Sequence, residues 1–210
     1  MDRDLWRASQ FDPLLTVTGP ESDTGAQAPG GSYYALLKLA LSIHSDPIAA
    51  NVLRNLMFGT SIVVLFAYMA ANWPRPLACL ATAIYASSGT LLQTSVFWNP
   101  GYIPLFAVLM VLAMHRFFKT RRSTSVFTLF FLFALSSQIH QQTIILMFGF
   151  VMTLALYRIR PRWTEGFAAL SGFLLSYVPF LAHELSDGFA HTRDLLNRLV
   201  DSPYVGSGRV

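Results

Sequence analysis

Charged side chains are confined to a few narrow windows of this 210-residue chain, and long apolar stretches separate those windows. Two of the windows are short basic clusters at residues 119–122 and 158–162, with two apolar stretches between them. A charged side chain at the centre of a membrane helix costs roughly 2.5 to 3.5 kcal/mol on insertion scales. The pattern therefore predicts a hairpin that crosses a bilayer twice and returns to the same side.

Composition supports a membrane protein. The chain is 53% hydrophobic and only 12% charged, which is about half the charge density of a soluble domain. Its apolar residues come in long runs that a soluble core of this size cannot hide. The net charge of +4 lies mostly in loops between apolar segments, so it does not indicate a nucleic-acid partner. Cys79 is the single cysteine, which excludes a disulfide framework and a thiolate metal site.

Six apolar segments approach the roughly 20 residues needed to cross a hydrocarbon core. They run over residues 48–71, 77–96, 102–118, 125–139, 143–157 and 164–183. Residues 33–43 carry a one-sided apolar patch and Lys38, which predicts a helix lying at the membrane interface. We expect an all-α polytopic transmembrane bundle of about six spans. Its parts are an outer loop with the interfacial helix (1–47), the transmembrane domain (48–184) and an outer C-terminal tail (185–210).

Orientation follows from the loops. If the loops at 72–76, 117–123 and 158–162 share one face, the turns at 97–101 and 138–142 lie on the other and carry no Lys or Arg. The first face would hold Arg75, Arg116, Lys119, Arg121, Arg122, Arg158, Arg160 and Arg162, with Glu165 as its acidic residue. An excess of Lys and Arg marks the cytoplasmic side of a membrane protein. Both termini are therefore predicted to lie outside.

Polar side chains from four distant segments gather at the predicted outer face. They are Asp2, Arg3, Asp4 and Arg7, then Trp98 and Asn99, then Gln138, His140, Gln141 and Gln142, and finally His183, Glu184 and Asp187. Carboxylates, an imidazole and amides beside lipid are typical of a site that works on a membrane-borne substrate. Simpler interpretations stay open: Trp98 as an interfacial anchor, Glu184 as a side chain reaching water, and Asp2 and Asp4 as a solvated terminus.

Five segments carry a family resemblance in order. They are residues 30–37 after a Gly-Pro turn, the pair Asp46-Pro47, and residues 97–100, 138–140 and 179–187. With this order the chain resembles polyprenyl-phosphate-dependent glycosyltransferases of the GT-C fold, the protein O-mannosyltransferase and aminoarabinose transferase group with its bacterial members. The resemblance covers about residues 2–194. It implies an integral protein of a bacterial inner membrane whose outward cavity binds a sugar carried on undecaprenyl or dolichyl phosphate.

The resemblance also implies residue roles. An Asp of the first outer loop acts on the acceptor hydroxyl in such families, and Asp2 or Asp4 matches it, although the Glu that often follows is missing. Inverting transfer needs one carboxylate and no second nucleophile, because the lipid phosphate is a good leaving group. The predicted substrate-binding residues are Arg3, Arg7, Tyr33, Asn99, Gln138, His140 and Glu184, with Arg193 as a further cation for the phosphate. A divalent metal is compatible with the site, but no ligand spacing demands one.

An alternative comes from another functional class. It is a non-catalytic lipid-binding membrane subunit or a small transporter, or an inactive fragment of the transferase. Family members normally begin with a further transmembrane helix and continue past the seventh span, so we expect a truncated form. A transporter should place polar groups at mid-membrane in broken helices, whereas here they lie near one face. The expected partners are a polyprenyl-phosphate-linked sugar and membrane lipid.

Overall fold

The computed structural model describes residues 8–9, 17–21, 27–93 and 99–200, and these residues are predominantly helical. Two short strands come first, β1 (Thr18–Glu21) and β2 (Gln27–Pro29). The helices are α1 (Ser32–Ile43), α2 (Ile48–Asn72), α3 (Arg75–Gln93), α4 (Ile103–Thr120), α5 (Ser123–Ser137), α6 (Ile144–Leu156), α7 (Trp163–Ser186) and α8 (Ala190–Val200). Single 3-10 turns, Asn99–Tyr102 and Gln141–Thr143, precede α4 and α6.

Three helices of the described chain are long and apolar enough to cross a membrane: Ile48–Asn72, Pro100–Thr120 and Trp163–Ser186. They turn large apolar side chains outward, and Phe167, for example, is 68% exposed. Helices α5 and α6 are apolar but shorter, at 15 and 13 residues. The prediction of a helical membrane protein is therefore confirmed in this coarse form. Six spans and the GT-C fold stay predictions.

The loop before α1 departs from the all-α prediction. β1 and β2 pair antiparallel, with Thr18 opposite Pro29 and Glu21 opposite Gln27. The Gly and Pro residues of this segment disfavour both helices and strands. Both strands of a two-stranded ribbon are nevertheless edge strands, and proline is tolerated there. Gly30 then turns the chain into α1 with φ +93°, a conformation that favours glycine.

Helix α1 buries one face against α2. Tyr33, Tyr34, Leu37 and Ala40 recur every three or four residues and pack in one cluster with Ala50 of α2. The opposite face leaves Leu39 52% exposed. The predicted helix over residues 33–43 is thus present and one-sided. Its location at a membrane interface stays a prediction.

A second core holds α4 to α7 together. Phe117 of α4, Leu129 of α5 and Phe150 of α6 are buried within it. Helices α5 and α7 approach closely, because a Cβ built at Gly172 would lie 2.4 Å from the Phe127 carbonyl oxygen. Small residues let membrane helices approach in this way.

The basic loops 121–122 and 158–162 meet at one end of the bundle, which we call the basic end. Arg121 Nε and Nη2 donate to the two oxygens of Glu165 at 3.0 and 2.8 Å, and Nη2 also donates to the Arg160 carbonyl at 3.1 Å. Glu165 is only 2% exposed, and it accepts the Arg162 N–H at 2.8 Å as α7 begins. A buried carboxylate needs such partners. This pairing explains why one acidic residue stands among the basic ones.

Candidate functional site

A group of polar side chains lies at the other end of the bundle, where α1 and α4 begin and α5 ends. We call Ser32, Tyr33, Arg54, Tyr102 and Gln138 the polar-end cluster. Tyr33 and Tyr102 belong to the same buried cluster, which connects the strand-to-helix turn with the first turns of α2 and α4. The structure therefore brings together segments separated by about a hundred residues, such as Ser32 and Gln138.

Gln138 connects three helices. Its Oε1 accepts the N–H of Ser32 at 3.3 Å and its Oγ–H at 2.7 Å, while its Nε2 donates to the Ser176 carbonyl of α7 at 3.1 Å. The side chain is 2% exposed. Gly30 leaves room for it, since a Cβ there would lie 2.3 Å from Gln138 Cδ. These contacts make Gln138 a brace between α1, α5 and α7, and its predicted contact with substrate stays a prediction.

Tyr33 is a buried member of the polar-end cluster. It is 2% exposed, and its ring centroid lies 5.5 Å from that of Tyr34 and 6.1 Å from that of Tyr102. The Tyr102 hydroxyl donates to the Ala50 carbonyl at 2.9 Å, which fixes the start of α4 against α2. Tyr33 therefore shapes the site through packing in this structure, and a direct substrate contact by it stays a prediction.

Arg54 is the cation that sequence reasoning missed. It is 8% exposed and lies on the buried stripe of α2 with Ala50 and Met57. Its stem packs on the turn before α4, because a Cβ built at Gly101 would stand 2.6 Å from Arg54 Cδ. The sequence alone could have identified Arg54, since it is the one charged residue in the predicted span 48–71. An ionisable residue inside a membrane helix marks a functional site by default.

His140 lies two residues beyond the brace. Its backbone N–H donates to the Ser136 carbonyl at 2.9 Å, and its carbonyl accepts the Thr143 hydroxyl at 3.1 Å. The side chain is half-buried at the turn that leads into α6, beside the exposed Gln141 and Gln142. His140 lies at the polar end, and its role in binding stays a prediction.

Other predicted residues are placed only in part. Asp2, Arg3, Asp4 and Arg7 lie outside the described residues. Asn99 begins the 3-10 turn that includes Gly101, and its side chain is not among those that the structure describes. Arg193 is exposed and donates to the Gly188 carbonyl within the turn between α7 and α8.

Glu184 is buried, which overturns the interpretation that it reaches water. It is 1% exposed, and its Oε2 accepts the Thr192 N–H at 3.0 Å and the Thr192 hydroxyl. The chain between α7 and α8 folds back over the carboxylate, with Gly188 at φ +60°. The fold-back explains why Glu184 is buried, because α8 covers the end of α7. The sequence analysis treats these residues only as part of an outer C-terminal tail.

His191 accompanies this carboxylate. Its ring packs edge-on against Phe180 with centroids 5.6 Å apart. Glu184 Oε1 and His191 Nε2 are buried and make no hydrogen bond with the described residues. Sequence reasoning missed His191, although the glycine between the two residues could have indicated a turn. Glu184 lies eight residues beyond Ser176 on α7, about 12 Å along the helix axis, so it forms a separate group from the brace.

Neither metal-binding groups among the described residues nor similarity to known proteins identifies further residues of the site. Among the described residues, no three His, Cys, Asp or Glu side chains are grouped so that they could hold a metal ion. Compared with protein-family models, curated proteins and solved structures, the chain matches none of them.

Proposed function

We propose that the chain is a membrane glycosyltransferase that moves a sugar from a polyprenyl phosphate to an acceptor hydroxyl at the polar end. The observation that carries this proposal is the burial of Arg54 on an apolar helix beside Gly101 and Tyr102. An ionisable residue inside an apolar membrane helix marks a functional site by default, and a guanidinium forms strong charge-assisted hydrogen bonds with an anion. Arg also suits a phosphate because its planar fork donates two parallel hydrogen bonds.

The depth of Arg54 supports a lipid-borne phosphate. It lies six residues after the start of α2, about 9 Å along the helix. A group at that depth is close to the boundary between headgroups and hydrocarbon in a bilayer with a core about 30 Å thick. The polyprenyl tail would then lie along apolar faces that α2 leaves exposed, such as the face carrying Leu56.

The transfer itself requires one base. The acceptor oxygen attacks the anomeric carbon, the bond from that carbon to the phosphate oxygen breaks, and the phosphate leaves with the electron pair. The acceptor proton passes to a carboxylate. Asp2 or Asp4 has this role by resemblance. Among the described residues, Glu184 is a buried carboxylate near the same end.

The test is sugar transfer in proteoliposomes. Purified protein is supplied with undecaprenyl phosphate carrying radiolabelled mannose or aminoarabinose, and with a cell-envelope extract as acceptor. We expect wild type to move label from the lipid to the acceptor fraction, and Arg54→Met to lose at least about 100-fold of that rate. Arg158→Met removes the same charge from an exposed site at the basic end and should keep the rate.

Two outcomes would overturn the proposal. If wild type binds undecaprenyl phosphate but moves no label, the chain is a lipid-binding membrane protein without transferase activity. If label moves equally well in Arg54→Met and in wild type, the site lies elsewhere. A stability measurement on each preparation excludes loss of fold as the cause of lost transfer.

A further inference from the structure

A groove opens at the basic end between the end of α2, the end of α4 and the start of α5. Its volume is about 720 Å³. Polar and basic groups line it near the loops, namely Arg116 and Lys119 of α4 with Thr124, Ser125 and Thr128 of α5. The groove is distinct from the polar-end cluster, which lies at the opposite ends of the same helices.

The lining changes from polar to apolar with depth. On α4 the groove is lined by residues 109, 112, 113, 115, 116 and 119, which run from two leucines to Arg116 and Lys119. On α5 the stripe runs from Thr124 through Thr128 to Leu132. A ligand with a charged head and an apolar tail fits this gradient.

The two cations are available for a ligand. Arg116 and Lys119 are exposed, and neither forms an ion pair with the described residues. Arg121, two residues beyond Lys119, is by contrast held by Glu165. No acidic residue lines the groove, so its charge is positive.

The start of α5 adds hydrogen-bond donors. Arg122 precedes the helix and makes no side-chain cap, and its carbonyl accepts the Ser125 N–H at 3.0 Å. The N–H groups of Ser123 and Thr124, at the very start of α5, are left without the capping acceptor that usually satisfies such groups. Ser125 lines the groove, is 4% exposed, and its buried Oγ makes no hydrogen bond with the described residues. A helix N-terminus with an unsatisfied hydroxyl and two nearby cations matches an anionic oxygen acceptor.

We propose that this groove binds the phosphate headgroup of an anionic glycerophospholipid from the leaflet at the basic end. The phosphate contacts Arg116, Lys119 and the first turn of α5, and an acyl chain follows Leu109 and Leu132. From Lys119 to Leu109 the groove extends ten residues, about 15 Å, which is half of a hydrocarbon core about 30 Å thick. A groove of that length matches the acyl chain of a lipid in one leaflet. A polyprenyl chain is much longer than the groove.

Aromatic residues at the rim agree with an interfacial location. Tyr68 and His115 line the groove and hydrogen-bond to each other. The Trp73 ring centroid lies 5.4 Å from that of His115. Trp and Tyr concentrate at the level of lipid headgroups. The groove therefore opens where a headgroup would be found.

The test compares lipids by thermal unfolding of the purified protein in a neutral detergent. Phosphatidylglycerol should raise the unfolding temperature, whereas phosphatidylcholine, glycerol phosphate and inorganic phosphate at equal concentration should not. The double variant Arg116→Gln/Lys119→Gln should bind phosphatidylglycerol roughly 30-fold more weakly, since each surface cation contributes about fivefold for an anionic lipid. Arg158→Gln/Arg160→Gln removes the same charge from exposed positions of the basic end and should leave the affinity unchanged.

Ser125→Ala keeps the test independent of net charge. It removes a buried hydroxyl that the lipid-free protein leaves unsatisfied, so the lipid-free unfolding temperature should stay the same or rise. The stabilisation by phosphatidylglycerol should shrink. Equal stabilisation of wild type and both groove variants would overturn the proposal, as would equal stabilisation by glycerol phosphate or phosphatidylcholine. None of these results depends on sugar transfer at the polar end.

Discussion

Gly101 lies against the side chain of Arg54, so closely that a Cβ at Gly101 would stand 2.6 Å from Arg54 Cδ. Gly101→Ala must therefore displace the guanidinium. We expect a loss of affinity for undecaprenyl phosphate of about tenfold or more, because small misplacements of a binding group are costly. Overpacking should cost about 1 to 3 kcal/mol of stability. Affinity and thermal unfolding are measured on the same preparation.

Gly59 provides the matched control for this substitution. It lies on the same helix as Arg54, and a Cβ built there meets no atom within 4 Å. Gly59→Ala should leave lipid affinity unchanged and stabilise α2 slightly, since alanine is the better helix former. Unchanged affinity in Gly101→Ala would contradict the assignment of Arg54 to the phosphate site.

Gln138→Leu tests the brace at the polar end. It removes the acceptor of Ser32 and the donor to Ser176. Leaving buried partners unsatisfied should cost about 1 to 3 kcal/mol, measured by thermal unfolding in detergent. His140→Gln, two residues away, should leave stability near wild type, because glutamine already occupies the neighbouring positions 141 and 142 of the same turn. Equal stability of Gln138→Leu and wild type would show that the brace contributes little.

Glu165→Gln tests the pair at the basic end. The substitution removes the charge that accepts two hydrogen bonds from Arg121. Hydrogen bonds to charged groups contribute about 1.5 to 3 kcal/mol, and we expect a loss of that size in the free energy of unfolding. Lipid affinity at the polar end should not change, because the pair lies at the opposite end of α4. Arg158→Gln, at an exposed residue of the same end, serves as the control.

Thiol labelling tests the topology. Cys79 is exposed, so it is first replaced by serine. A cysteine at Gln141 should then react with an impermeant reagent in intact cells, whereas one at Arg122 should react only after permeabilisation. Both positions are exposed, and Arg122 avoids the paired Arg121. Labelling of both positions from outside would exclude an odd number of crossings between them, and the reverse pattern would invert the orientation.

The long helices could be predicted closely from the sequence. The predicted spans 48–71, 102–118 and 164–183 correspond to helices Ile48–Asn72, Ile103–Thr120 and Trp163–Ser186. Apolar runs determine where these helices lie, and residues such as Asp46 and Pro74 mark their boundaries. Asp46, for example, accepts the Ile48 N–H at 2.8 Å where α2 begins. Such signals are local and can be recognised along the chain.

The site could be predicted only in part, because its contacts depend on tertiary packing. The sequence indicated that Gln138 lies at the polar end, but its bonds to Ser32 and Ser176 follow from how α1 and α7 pack. The burial of Glu184 depends on the fold-back of α8, which apolar periodicity does not show. Arg54 was visible as a lone charge in a span, yet its contact with Gly101 was not.

The most direct test of the central claim is the affinity of the purified protein for undecaprenyl phosphate, compared with undecaprenol of the same length. If Arg54 binds the phosphate, wild type should prefer the phosphate form at least about tenfold, and Arg54→Met should lose that preference. Arg116→Gln/Lys119→Gln should keep it, because that groove lies at the basic end. Equal affinity of wild type for the two lipids, or a preference that survives in Arg54→Met, would contradict the account.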